Sequence, residues 1–246
     1  MDIWNRPSTM AQSQATATDQ GLRSYMLKVY NMMASGVLLS AIICYLAGTS
    51  DAFLQMVLTQ GTDGRVGLSG LGWVIALAPM GMAFFLMFRL RSLSTQGLQM
   101  TFWAYAGLMG LSLFSIFVVY TAASVLKVFL ITAGVFGLLS MVGYTTKRDL
   151  TSMGTFLIAG IWAVLIVSLV NMFLHSSGLD LLLSYVSVAL ALGLTAYDTQ
   201  KIKAYYYSTG GSGEMAQRAA TLGALNLYFD FVYLFVNLLR VLGDRR

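Results

Sequence analysis

Two aspartates lie in segments that are otherwise apolar, and their position makes them the strongest candidates for chemistry in this sequence. Asp230 lies within LYFDFVYLFVNLLR (227–240), and Asp198 ends an apolar run in LTAYDTQKI (194–202). A charged carboxylate inside a bilayer costs about 2.5–3.5 kcal/mol on insertion scales, so it is expected to face the protein interior, to pair or to carry a proton. Two of them on consecutive segments predict a pair that shares one proton near neutral pH. When both are ionised, the pair is expected to attract a divalent cation, because such an ion binds oxygen ligands.

The polar neighbours of Asp230 recur at helical spacing. Asn226, Asp230, Tyr233 and Asn237 fall on one stripe of a helix, and the other faces of that helix are apolar. We predict that this stripe lines a pore or cavity, with the last helix at the centre of a bundle.

A basic residue at the end of an earlier apolar run is a candidate partner for these acids. Arg89, in FFLMFRLRS, is expected at the same membrane level as Asp198, and its long side chain can turn inward. Arg91, two residues on, is the alternative. The three groups then form either a proton-sensing gate or an ionic cluster that only fixes helix packing, and the sequence leaves both interpretations open.

The composition of the chain indicates that these residues lie in a membrane protein. Of 246 residues, 57% are hydrophobic and 10% are charged, against roughly 25% charged in a soluble domain. Seven continuous apolar runs are long enough to cross a bilayer as helices and lack the alternation of barrel strands. We therefore predict an all-α integral membrane protein with seven transmembrane helices. The runs are Val29–Gly48, Leu71–Phe88, Phe102–Tyr120, Val128–Tyr144, Met153–Leu174, Leu181–Tyr197 and Ala219–Leu239.

The basic residues predict the orientation, because cytoplasmic segments carry an excess of Lys and Arg. Ten of the 15 flank one face and five the other, which predicts a cytoplasmic N-terminus and an external C-terminus. Residues 1–24 are polar, lack the build of a cleaved signal peptide and are expected to be a flexible tail. Residues 25–246 then form one transmembrane domain. The ten are Arg6, Arg23, Lys28, Arg89, Arg91, Lys147, Arg148, Lys201, Lys203 and Arg218.

Several functional classes are disfavoured. No lysine lies in the middle of a span, as a retinal Schiff base would need, and the single histidine, His175, follows the fifth span beside serines. Cys44 is the single cysteine, so no disulfide or zinc site forms within one chain. The net charge of +5 is explained by the loop bias, which gives no ground for nucleic-acid binding. We expect a protein without enzymatic activity or cofactor.

Three segments together resemble a known family. AYDTQKI (196–202), LYFDFVYLFVNLLRVLG (227–243) and GYTTKRDL (143–150) look like the signature segments of the transmembrane Bax inhibitor motif family in its bacterial form. The resemblance implies a seven-helix bundle whose last helix is wrapped by the other six. It also implies a pH-sensitive calcium leak, with Asp198 and Asp230 as the sensing pair and Arg89 as a competing cation.

Two other functions compete with the leak. A membrane-embedded regulator would bind a membrane protease or a stress or cell-death factor without conducting ions. An intramembrane aspartyl protease would use Tyr197-Asp198 as half of its motif, but no glycine directly precedes Asp230 and the only prolines are Pro7 and Pro79. The expected surroundings are the bacterial inner membrane, its lipid and candidate membrane-protein partners.

Overall fold

The computed structural model describes the backbone of residues 6–60, 66–90 and 92–246, and the side chains of residues 20–60, 66–90 and 92–246. Within these residues the chain forms a helical bundle with one small hairpin. Its elements are α1 (Arg6–Thr49), α2 (Asp51–Val57), β1 (Leu58–Gln60), β2 (Val66–Leu68), α3 (Gly70–Arg89), α4 (Thr95–Ser112), α5 (Ser115–Val119), α6 (Ala122–Thr145), α7 (Thr151–Leu174), α8 (Ser177–Ser208) and α9 (Gly213–Leu242).

Seven helical segments in the described part of the chain are long and apolar enough to cross a membrane. They are α1 from Gln20 onward, α3, α4 joined to α5, α6, α7, α8 and α9. Each predicted apolar run falls on one of these segments, and the prediction of an all-α, seven-span membrane protein is confirmed.

The first helix is longer than its apolar run. It begins at Arg6, with Pro7 in the first turn, where the missing N–H has no helical partner to lose. No glycine or proline follows before Gly21, so nothing in the local sequence interrupts the helix. Residues 6–24 are therefore helical, while their flexibility stays a prediction and residues 1–5 lie outside the described residues.

The connection between the first two spans is structured, which the sequence analysis did not predict. Helix α2 leads into an antiparallel hairpin in which β1 pairs with β2, Leu58 opposite Leu68. Val57 is fully buried in a small cluster with Ala47 and Phe114. This cluster holds the connection against the ends of the first and third spans.

Helix α9 is the most buried of the spans in the described chain. Of its most apolar stretch, 56% is buried, against 6% for α7. It packs against α1, α4, α6 and α8. Wrapping by all six other spans would also require substantial contacts with α3 and α7, so the central position of α9 stays a prediction.

A hydroxyl network joins three spans at the level of Tyr228. The Ser40 Oγ of α1 lies 2.7 Å from the Ala106 carbonyl oxygen of α4 and 2.7 Å from the Tyr228 hydroxyl of α9. Tyr228 is fully buried. Gly110 permits this approach, because a Cβ there would lie 2.6 Å from the Ser40 carbonyl oxygen. The junction fixes α9 against α1 and α4 two residues before Asp230.

The C-terminal residues return to the connection between the third and fourth spans. Tyr120 and Arg245 form an antiparallel bridge, and the Thr121 and Arg246 amides donate to the carbonyl oxygens of Asp244 and Val119. The C-terminus and this connection therefore share one end of the bundle, as a full seventh crossing requires. Which end faces the cytoplasm stays a prediction.

Candidate functional site

Asp230 lies near the middle of α9 and is almost completely buried. Its side chain is 6% exposed, and its Oδ2 atom has no hydrogen-bond partner among the described residues. Buried polar groups in folded proteins are nearly always bonded, so an unpaired carboxylate oxygen suggests a functional site. The predicted inward orientation of Asp230 agrees with this burial.

The second acid of the predicted pair lies beside the first. Asp198 of α8 is half-buried, and its carboxyl group lies within hydrogen-bonding reach of that of Asp230. Two carboxyl groups at this distance are stable together when one proton lies between them or a cation lies beside them. Lys201, three residues further along α8, is close enough to act electrostatically on both acids. The sequence analysis did not single out this cation.

Close helix contacts set the position of Asp198 on α8. A Cβ at Gly143 of α6 would lie 2.3 Å from the Ala196 carbonyl oxygen, and one at Gly154 of α7 would lie 2.3 Å from the Tyr197 ring. Both distances are shorter than side-chain contacts allow. Glycine at these two sites therefore lets α6 and α7 approach the turn of α8 that precedes the acid.

Two polar side chains that follow Asp198 on α8 also bind this part of the helix to its neighbours. The Lys203 Nζ donates to the Tyr144 carbonyl oxygen at 2.9 Å, satisfying a carbonyl at the C-terminal end of α6. Gln200 accepts from the Leu150 amide and donates to the Arg148 carbonyl oxygen. The segments GYTTKRDL and AYDTQKI, separate in sequence, are thus one bonded unit next to the acid pair.

Three hydroxyl groups extend this polar region toward α1. The Tyr30 hydroxyl of α1 lies toward Thr199 of α8 and Ser140 of α6. The hydroxyl oxygens of Thr199 and Ser140 are buried and make no well-formed hydrogen bond with a described residue. Sequence reasoning missed this group, although Thr199 directly follows Asp198 in the signature segment.

The remaining polar side chains of the α9 stripe are buried or half-buried. Asn226 and Tyr233 are half-buried and Asn237 is buried. The Tyr233 hydroxyl lies toward Ser187 of α8 without a well-formed partner, and the Asn237 Nδ2 donates to the Tyr233 carbonyl oxygen. The stripe therefore faces protein, while pore lining by these side chains stays a prediction.

The predicted arginine does not contact the acid pair in this structure. The Arg89 side chain is exposed at the end of α3 and makes no hydrogen bond or ion pair with either acid within the described part of the chain. Arg218 of α9 instead binds the carbonyl oxygens of Leu93 and Leu90 just beyond that end. Arg91, the alternative, lies outside the described residues.

The composition of the site limits what it can hold. In the described ranges no group of three or more His, Cys, Asp or Glu side chains is placed to bind a metal. Calcium usually takes six to eight oxygen ligands from carboxylates, carbonyl groups and waters. Two carboxyl groups with nearby hydroxyls suit a proton or a passing cation better than a resident ion.

Comparisons with known proteins agree with this architecture. A model of the family described as inhibitor of apoptosis-promoting Bax1 matches residues 22–246. The chain is 40% identical to RP147 of Rickettsia prowazekii over 228 residues, which cover 93% of this chain and 92% of that one. It is 40% identical to the inner membrane protein YbhL of Escherichia coli K12 over the full length of both, and 31% identical to the membrane protein SpyM3_0260 of Streptococcus pyogenes over 93% and 96% of the two chains. The chain therefore belongs to the Bax inhibitor-1-like family of membrane proteins.

Proposed function

We propose that this protein is a non-enzymatic cation leak of the bacterial inner membrane, with calcium as the permeant ion and the pair Asp198 and Asp230 as its proton-sensitive gate. One observation carries the proposal. Asp230 is buried in a membrane-spanning helix with an unpartnered carboxylate oxygen, next to a second carboxyl group on the adjacent span. The inner membrane follows from the name of the relative YbhL.

The protonation state of the pair would set the spacing of the two helices. With one proton, the carboxyl groups form a hydrogen bond that draws α8 and α9 together. With none, they repel each other and attract a divalent cation, which binds oxygen ligands in irregular geometry. Cation occupancy and helix spacing should therefore change together.

Neighbouring groups would modulate this gate. Lys201 lies close enough to compensate for the negative charge that remains when the pair holds one proton. The hydroxyl groups of Tyr30, Ser140 and Thr199 offer oxygen atoms between the pair and α1. Arg89, exposed in this structure, would compete for Asp198 only if its side chain turned inward in another state.

The test is calcium flux into liposomes that contain the purified protein, measured over roughly pH 5 to 8. Asp198→Asn and Asp230→Asn should each flatten the pH dependence of flux, because an amide does not titrate. Asp180→Asn is the matched control, since Asp180 is an exposed acid on the same helix as Asp198. This variant should keep the wild-type profile.

Two results would count against the leak. One is wild-type protein that passes no cation above the rate of empty liposomes. The other is a wild-type pH profile in both aspartate variants. Either result would favour the second function, a regulator that binds membrane proteins without conducting ions.

A further inference from the structure

A long apolar groove opens between α1 and α6. Its larger part is a cavity of about 730 Å³ that runs from Arg23 and Tyr144 at one end to Phe129. A second cavity of about 380 Å³ continues it as far as Tyr45 and Ala122. The two cavities share four lining residues, which make them one groove: Val37, Leu38, Phe129 and Phe231.

The groove exists because α1 and α6 do not pack closely on each other. Both helices pack against α9, whose Phe231 and Phe235 form the floor. On α1 the groove extends from Arg23 to Tyr45, which at 1.5 Å per residue is roughly 33 Å. That length matches the ~30 Å hydrocarbon thickness of a bilayer.

We propose that the larger cavity of this groove, which follows α1 from Arg23 to Leu38, binds one acyl chain of an anionic phospholipid, with the lipid phosphate at Arg23. The two cavities, of about 730 and 380 Å³, are lined mostly by apolar side chains. Their volumes suit a small amphipathic ligand, for which sites of about 300–1,000 Å³ are typical.

The basic residues at the mouth of the groove favour a lipid with an anionic headgroup. Arg23 is exposed at the mouth and makes no hydrogen bond or ion pair with a described residue. Tyr144 lines the same mouth, and the Lys203 Nζ lies 5.2 Å from the centre of its ring. None of the lining residues of the larger cavity is acidic. An arginine fork binds a phosphate well, and a lipid with net negative charge gains from the second cation.

One wall position allows the acyl-chain site to be filled without disturbing the fold. Gly137 of α6 lines the larger cavity, and a Cβ built there meets no atom within 4 Å. Gly134, one turn away on the same helix, is equally free of contacts but does not line the groove. Gly137→Leu should therefore occupy the site, and Gly134→Leu is its matched control.

The experiment is native mass spectrometry of the purified full chain, titrated with phosphatidylglycerol or with zwitterionic phosphatidylethanolamine. We expect a tightly bound phosphatidylglycerol that Gly137→Leu removes and Gly134→Leu retains. Arg23→Gln should weaken its binding about fivefold, the effect of one basic residue at a membrane surface. Lys28→Gln, an exposed cation on α1 outside the groove, should leave binding unchanged.

A second measurement covers the case in which Gly137→Leu fails to fold. Wild-type protein is irradiated with phosphatidylglycerol that carries a photoreactive acyl chain, and adducts are expected on groove residues such as Met33 and Met141. Adducts spread over the exposed face of α7 would overturn the proposal. So would equal binding of both lipids, unchanged binding in Gly137→Leu, or a transmembrane peptide cross-linked in the groove in place of lipid.

Discussion

The hydroxyl junction at Ser40 predicts an asymmetry between two substitutions. The carbonyl oxygens of Ala106 and Gly36 lie 2.7 Å and 3.0 Å from Ser40 Oγ, and a carbonyl only accepts. The Ser40 hydroxyl therefore donates to a carbonyl, and the Tyr228 hydroxyl donates to Ser40 at 2.7 Å. Each partner has a different role, so its removal has a different cost.

Tyr228→Phe removes one hydrogen bond and leaves no buried donor unpaired. We expect the free energy of unfolding to fall by about 0.5–1.5 kcal/mol, toward the lower end in a membrane bundle. Ser40→Ala leaves the hydroxyl of the fully buried Tyr228 without its hydrogen-bond acceptor and should lower the free energy of unfolding by about 1–3 kcal/mol. The double variant lacks both partners and should be no less stable than Ser40→Ala alone.

Denaturant unfolding in detergent micelles, followed by tryptophan fluorescence, measures all three variants. Ser35→Ala is the control, because among the described residues the Ser35 hydroxyl bonds only to carbonyl oxygens of its own helix. Additive losses in the double variant would refute the reasoning. Equal losses in the two single variants would show that the assigned direction of donation is wrong.

Two further predictions concern the helix contacts and the loop beside the acid pair. Gly143→Ala places a Cβ 2.3 Å from the Ala196 carbonyl oxygen and should lower the free energy of unfolding by roughly 1–3 kcal/mol. The control Gly134→Ala meets no neighbour and should leave the free energy of unfolding unchanged or raise it by up to about 1 kcal/mol. Equal melting temperatures of the two variants would contradict this prediction. Hydrogen bonds from the Thr151 hydroxyl and amide lower the pKa of Asp149 in the loop between α6 and α7. Their stabilisation is present above the unfolded pKa of Asp149 and is lost as pH falls through the lower folded value. The protection of the Thr151 amide, taken as its exchange rate relative to the intrinsic rate at each pH, should therefore fall in acid for the wild type and show no such acid step in Asp149→Asn.

Apolar length and polar periodicity were sufficient to predict much of this molecule. A run that can cross a bilayer must be a helix, so the seven spans followed from hydropathy alone. Burial of Asp230 followed from the cost of charge in lipid, and proximity to Asp198 followed from their places on consecutive spans. These properties depend on residue type and on neighbours close in sequence.

Other features depend on contacts that the sequence does not display. Counting residues places both Arg89 and Lys201 near the level of Asp198. In the structure Lys201, on the same helix as Asp198, acts electrostatically on both acids, whereas Arg89 is exposed at the end of α3. The Tyr30 hydroxyl reaches Thr199 because α1 packs on α8. The groove arises from the absence of close packing between α1 and α6, and a missing contact leaves no pattern in composition.

The burial of α9 has a consequence for biogenesis. Its packing partners α1, α4, α6 and α8 all precede it in the chain, so the ribosome delivers them to the membrane first. Until α9 is inserted, the faces that will contact Asp230 and Tyr228 have no helix to cover them. In the nascent six-span intermediate these faces must therefore contact lipid or the insertion machinery.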